Sequence, residues 1–154
     1  MLETRAATLA DAALIAAHRG EMFASMGGFD ESTLDAVRRA SEPWTASMMD
    51  QGKYLGWITE DGERPIASAG MLILDWPPHP LDPAGGARAY LLNVFVEDEF
   101  RRRGLAHGLL ELCVAEAVRR NIRVVSLHAS REGAPLYEQL GFKASNEMLL
   151  RTRS

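Results

Sequence analysis

Arg101-Arg102-Arg103-Gly104-Leu105-Ala106 joins a strand-like run ending near Val96 to a segment with helical periodicity from Gly104 onward. The arginines stand where the unpaired N–H groups of a helix's first turn already carry partial positive charge. Each exposed cation there costs roughly 0.3–1 kcal/mol. An anion at the turn removes the conflict, because converging N–H groups and the helix dipole hold phosphate. The chemistry read here is pyrophosphate binding; the bland alternative is a basic loop closed by glycine. No Gly-Lys-Ser/Thr follows, so this is not a P-loop, and Gly104 and Gly108 lack the Gly-x-Gly-x-x-Gly dinucleotide spacing.

A second informative stretch runs from Ile122 to Phe142. An apolar strand leads into a small-residue turn and then a short helix. Pro135 suits that helix's first turn, where a missing N–H costs nothing. Gly141 before Phe142 suits its left-handed C-terminal cap. On this helix stands Tyr137, whose phenol keeps its proton at neutral pH and can donate it. Packing on the sheet, with the hydroxyl in solvent, is the competing role.

Together these stretches resemble the GNAT N-acetyltransferase superfamily. Arg101, Gly104 and Ala106 fit its Arg-x-x-Gly-x-Ala acetyl-coenzyme A loop after a Val-x-Val strand end, and Leu136-Tyr137 through Gly141-Phe142 fit its closing Leu-Tyr-x-x-x-Gly-Phe motif. The specific motifs lie in residues 89–142, in the expected order. The resemblance implies an α/β (α+β) GNAT fold: a central mixed, mostly antiparallel sheet of six to seven strands, about four helices, and a β-α-β cofactor-binding core. It implies acetyl-CoA as acetyl donor and a primary amine, of a small molecule or peptide, as acceptor.

Acetyl transfer from a thioester to an amine needs a placed cofactor, a neutral amine, a donor to the thioester oxygen and a proton for the departing thiolate. By resemblance, the backbone of Val94, Phe95 and Val96 pairs with the pantetheine arm like an added strand. An N–H near Val94 meets the thioester oxygen. Backbone N–H groups across Arg101, Arg102, Arg103, Gly104, Leu105 and Ala106 hold the pyrophosphate, with the arginine side chains adding charge-assisted contacts. Tyr137 is the general acid. Ser130 stands where relatives often carry a cofactor-contacting Asn; its hydroxyl can still hydrogen-bond but reaches less far.

The base is open. Some relatives place a Glu on the central strand, at the position aligned with Tyr90, and Tyr90 is a poor base. Glu97, Asp98 and Glu99 read as a solvated turn. His128, at a strand end, either accepts a proton through water or is a hydrogen-bonded structural residue. His107 reads as packing or surface, and Asn93 as a core or bulge residue. Water is a further base, and the amine can also arrive neutral. For the acceptor, the resemblance points to the first helix pair, with Arg19, Glu21, Phe23 and Met26, and the loop from Trp76 to Pro83 could form another wall. Glu21 and Asp30 could attract a cationic amine. Core packing is the alternative for Phe23 and Met26. A GNAT-like module that binds acetyl-CoA or CoA as a non-catalytic sensor is the alternative function, and a nucleotide-binding regulator a third.

The elements that must position these residues follow from pattern. Strands are expected near 2–8, 54–59, 66–74, 90–96, 122–129 and 142–151. Helices are expected at 11–26, 31–50 with an interruption at Pro43, 104–121 and 133–140. The 154 residues suit one domain spanning 1–154, and a composition 47% hydrophobic and 25% charged is that of a globular chain. The net charge of −4 argues against nucleic acid as a partner. The lone Cys113 cannot form an internal disulfide, which fits a reducing cytoplasm. Neither a signal peptide nor a membrane-spanning run is read from the sequence, and no metal ligand set is proposed. A homodimer is allowed by resemblance alone.

Overall fold

The structure, a computed structural model, describes residues 1–152; of the expected domain 1–154, residues 153 and 154 lie outside the described part. Its elements are β1 (Leu2–Ala6), α1 (Ala12–Met26), α2 (Glu31–Asp50), β2 (Tyr54–Asp61), β3 (Arg64–Asp75), β4 (Ala87–Val96), α3 (Leu105–Arg119), β5 (Val125–Leu127) and α4 (Ala134–Gln139). One mixed sheet takes the order β1-β2-β3-β4-β5. The first four strands pair antiparallel and β5 joins β4 in parallel, so α3 is the crossover of a β-α-β unit. This is the expected mixed, mostly antiparallel sheet with four helices.

The sheet has five strands among the described residues, not six or seven. Residues 142–151, expected as a last strand, take no regular structure, and Met148, Leu149 and Leu150 are exposed. The physical reason is their pattern. A polar run, Lys143 to Glu147, meets three consecutive apolar residues, so no alternation gives one buried face. The strand expected over 122–129 shortens to Val125–Leu127 because only those residues find partners on β4. Pro43 does not interrupt α2, which runs unbroken past it. Leu34, Ser41 and Thr45 on both sides of the proline are buried, and that shared face holds the helix together across the missing N–H.

Local chemistry sets the element ends. The Asp30 carboxylate accepts the Thr33 N–H at 2.8 Å and caps α2. Asp11 accepts the Thr8 N–H at 2.7 Å and binds Arg5 through both oxygens at 2.8 and 3.0 Å, fastening β1 to the start of α1.

Helices cover both faces of the sheet. Leu109, Leu110, Cys113 and Ala117 of α3 pack with Ile66, Met71 and Leu91 of the sheet in the main core. Burial pushes the Cys113 thiol up to about 12, so it is an inert core residue. On the opposite face His18 of α1 stacks near Phe95, ring centroids 4.7 Å apart, and its Nδ1 pairs with the Ser68 hydroxyl at 2.7 Å. Among the described residues no helix is long and apolar enough to cross a membrane.

Candidate active site

The site is built around an irregularity in β4. Register runs Gly70↔Leu92 and then Ser68↔Phe95, so Asn93 and Val94 together oppose Ala69 as a β-bulge. Asn93 takes the left-handed conformation, with φ 57°. The bulge switches which face successive side chains meet. Leu91, Val94 and Val96 pack toward the α3 core, whereas Asn93 and Phe95 meet α1.

β4 and β5 also part company here. They pair only as Ala89↔Val125, Tyr90↔Ser126 and Leu91↔Leu127. Beyond Leu91 the β5-facing edge of β4 has no strand partner among the described residues, and the gap opens into a cleft of about 780 Å³. Val94, Phe95 and Val96 line it. An unpaired strand edge in a gap of this kind suits an extended amide-bearing ligand.

One end of the cleft is the turn into α3. Arg102 and Gly104 both have positive φ, 63° and 79°. The alternation of backbone hand turns successive N–H groups toward one side. Among the described residues, the N–H groups from Arg102 to His107 meet no protein acceptor; the first helical bond is Gly108 N–H to the Gly104 carbonyl at 3.0 Å. A Cβ built at Gly104 would meet nothing within 4 Å, so the cradle is open. Six adjoining donors, an open concavity and a helix N-terminus fit a diphosphate.

The three arginines differ in placement. Arg101 Nε donates to the Val96 carbonyl at 3.1 Å, tying the loop to the strand end. Arg102 lines the cleft. The Arg103 guanidinium instead lies over the Phe100 ring, 5.1 Å from its centroid, so that only its backbone N–H serves the cradle. Leu105 and Ala106 line the cleft too.

The cleft's other wall carries Tyr137, Ser130 and His128. Ser130 Oγ accepts the Gly133 N–H at 3.1 Å and so shapes the turn into α4. A Cβ at Gly133 would sit 3.0 Å from the Tyr137 ring and 3.2 Å from Ser130 Oγ; glycine there lets the ring pack close. Phe142 braces the ring from another side, edge-on at 6.1 Å. Burial raises the Tyr137 phenol above its ordinary range, and Tyr90 adds to the shift. Tyr90 hydrogen-bonds His128 Nδ1 through its hydroxyl, and burial raises its phenol also. The other side of the largely exposed His128 ring faces Glu147, with Nε2 at 4.0 Å.

α1 closes the far end. Arg19, Met22, Phe23 and Met26 recur at helical spacing and face the cleft together. The sequence placed Arg19 in the helix region expected over the acceptor but gave it no contact, and Asn93 read as structural. Arg19 Nη1 donates to Asn93 Oδ1 at 2.7 Å, and Asn93 Nδ2 donates to the Tyr54 hydroxyl at 3.0 Å. The readable signal was the 19, 22, 23, 26 periodicity, which marks one helix face without saying what it meets. Glu21 and Trp76 stand elsewhere. Glu21 lines a separate depression with Glu97, Asp98 and Glu99, and Trp76 lies 4.1 Å beneath the Arg88 guanidinium. Asp30 is spent on the α2 cap. His107 pairs with Glu111 at 2.5 Å on α3.

Comparison with known proteins decides the family. The model of the acetyltransferase (GNAT) domain matches residues 25–152. The chain belongs to the GNAT acetyltransferase family. A GCN5-related N-acetyltransferase from Ralstonia eutropha has a crystal structure that superposes with a TM-score of 0.93 at 34% identity, over 98% of each chain. A predicted acetyltransferase with acetyl-CoA from Clostridium acetobutylicum gives 0.87 at 27% identity, over 99% of this chain and 96% of that one. The glucosamine-6-phosphate N-acetyltransferase of Arabidopsis thaliana shares the fold, at 15% identity and a TM-score of 0.68 over 100% and 99% of the two chains. A search of curated proteins finds no match. GNAT membership carries the acyltransferase class, in which acetyl transfer from acetyl-CoA is typical.

Proposed function

We propose that the protein transfers an acetyl group from acetyl-CoA to the primary amine of a small molecule or peptide by direct attack. The observation that carries this reading is the continuity of one cleft. It joins the open N–H cradle of Arg102–His107, the unpaired edge of Val94–Val96 and the Tyr137 phenol. The Clostridium acetobutylicum structure with acetyl-CoA supports the choice of donor.

In this reading the diphosphate lies on the cradle and Arg102, the pantetheine amides pair with Val94–Val96, and Ser130 lends its hydroxyl. When bound, acetyl-CoA supplies the acetyl group as a thioester. A backbone N–H near Val94 polarises the thioester carbonyl. Tyr137 gives its proton to the departing sulfur and is restored by the second proton that the attacking nitrogen sheds as the amide forms; a phenol raised by burial is fully protonated at neutral pH.

Tyr90 and His128 take the amine's proton. The ammonium N–H passes to the Tyr90 oxygen while the Tyr90 proton passes to His128 Nδ1, and the exposed imidazolium releases it to water. The pair replaces the carboxylate base that some relatives carry on this strand.

The test is thiol release from acetyl-CoA across a panel of primary amines, with calorimetry of acetyl-CoA and CoA alongside. Thiol release that depends on the amine supports the reading. Coenzyme binding with no thiol release from any amine would leave a sensor module; the absence of heat from either coenzyme would refute the cradle.

A further inference from the structure

Arg19 holds a cation at the acceptor end of the cleft, and its surroundings do not neutralise it. The residue is half-buried on α1, four residues before Phe23, whose ring lies 4.8 Å from the guanidinium carbon. One nitrogen, Nη1, is engaged by Asn93 Oδ1 at 2.7 Å. Among the described residues the other guanidinium N–H groups have no protein acceptor, and Glu132, which lines the same cleft, makes no ion pair with Arg19. The acidic residues near α1 are directed elsewhere: Glu21 into the neighbouring depression and Asp30 into the α2 cap.

The arginine is also held in position. Asn93, only 3% exposed, sits on the strained bulge of β4 and is fixed in turn by the Tyr54 hydroxyl, so the chain Tyr54–Asn93–Arg19 sets where the guanidinium lies. Tyr54 is buried against Gly70; a Cβ at Gly70 would fall 2.0 Å from its hydroxyl oxygen. A desolvated cation without a counter-ion is unfavourable, and it is rare unless a partner arrives. Burial lowers the Arg19 pKa from its ordinary value, which records the same unmet demand. Backbone strain at a position whose side chain aims a cation into a cleft is the pattern of a ligand clamp.

We infer that Arg19 anchors a carboxylate on the acceptor, so that the substrate is a primary amine bearing a carboxylate and an apolar body, in the manner of an apolar amino acid. This rests on the acetyltransferase reading and names the substrate class of the same cleft. A guanidinium with one edge occupied still offers a second edge for bidentate contact with a planar carboxylate. A single cation matches a single negative charge, which favours carboxylate over the dianionic phosphate. Met22, Phe23 and Met26, on the same helix face, supply an adaptable apolar wall. The carboxylate would lie toward Arg19 and the amine toward Tyr90 and His128.

The test compares apolar amino acids with their carboxamides, matched in all but charge, in wild type and in Arg19→Gln and Arg19→Lys. Two readouts are taken: kcat/KM for thiol release, and calorimetric affinity in the presence of free CoA. The acids should exceed their amides about ten- to a hundredfold in the wild type. Arg19→Gln should bring the ratio near one, and Arg19→Lys should restore part of it. Equal use and equal binding of acid and amide by the wild type would overturn the proposal. A uniform loss on both substrates in Arg19→Gln would also overturn it, reducing Arg19 to a structural role. If no amine is turned over but the acids still bind more tightly through Arg19, the anchor stands and the acetyl-transfer reading falls.

Discussion

Replacing Gly104 by Gln and by Glu separates backbone strain from electrostatics at the cradle. Gly104 has φ 79° and ψ 10°, a left-handed conformation that costs an L-residue about 1–2 kcal/mol. A Cβ there meets no protein atom within 4 Å, so steric clash within the fold adds nothing. Both variants therefore share one stability penalty, a fall in Tm of roughly 2–8 °C for a chain of this size. They differ by a single negative charge beside the proposed diphosphate. One pair of unit charges 4 Å apart is worth about 1 kcal/mol even at the dielectric of water, so a dianion near the carboxylate loses about 2 kcal/mol. That corresponds to roughly thirtyfold weaker binding of Gly104→Glu than Gly104→Gln, and more if the cleft is drier. Calorimetry with CoA at several salt concentrations reads the difference, which should shrink as salt rises. Equal affinity of the two folded variants would show that no phosphate sits at this turn.

Further outcomes concern the proton donor and the fold. Tyr137→Phe should lower kcat about 10²-fold with coenzyme affinity unchanged, because the ring keeps its packing against Gly133 and Phe142. Since burial raises the Tyr137 phenol, the wild type should show no loss traceable to that proton below pH 10, the ordinary phenol value, and lose it only above; a wild-type rate in Tyr137→Phe across this range would remove the residue from the mechanism. The Asp11 carboxyl is held below its ordinary value, first by hydrogen bonds from Arg5 and also by the Thr8 N–H. Its contribution is therefore present above about pH 4 and is lost as pH falls through the lowered folded value. Asp11→Asn should cost about 1 kcal/mol at pH 7, since Arg5 is well exposed, and the gap from wild type in urea unfolding should close in acid. A gap that does not narrow as the pH falls below about 4 would exclude the ion pair as its source.

Much of the fold was legible because it is written in local patterns. Apolar runs on either side of the turn at 60–63 marked the strands expected at 54–59 and 66–74, and caps and glycines marked the helices. Pro43 misled because a local cost was read as a break, while the helix is held by a buried face contributed from both sides of it. The last strand misled because residues 142–151 carry no alternation that would give one buried face. Trp76 and Glu21 were chosen for residue type and region, and type says nothing of direction: Trp76 lies under Arg88 and Glu21 faces another depression.

By itself the sequence determined the backbone cradle that we propose for the acetyl donor. The N–H cradle depends on neighbours along the chain, from Arg102 to His107, and on one glycine able to adopt positive φ, so adjacency in sequence is adjacency in space. The part of the cleft proposed for the acceptor was decided by tertiary structure. Arg19 and Asn93 are 74 positions apart, and Tyr90 meets His128 across 38. The pairing of β4 with β5 sets Tyr90 beside His128, and the bulge in β4, with the packing of α1 over that strand, brings Arg19 and Asn93 to the same cleft. Contacts of that kind leave no periodicity in the chain, because each half is an unremarkable residue until the fold supplies its partner.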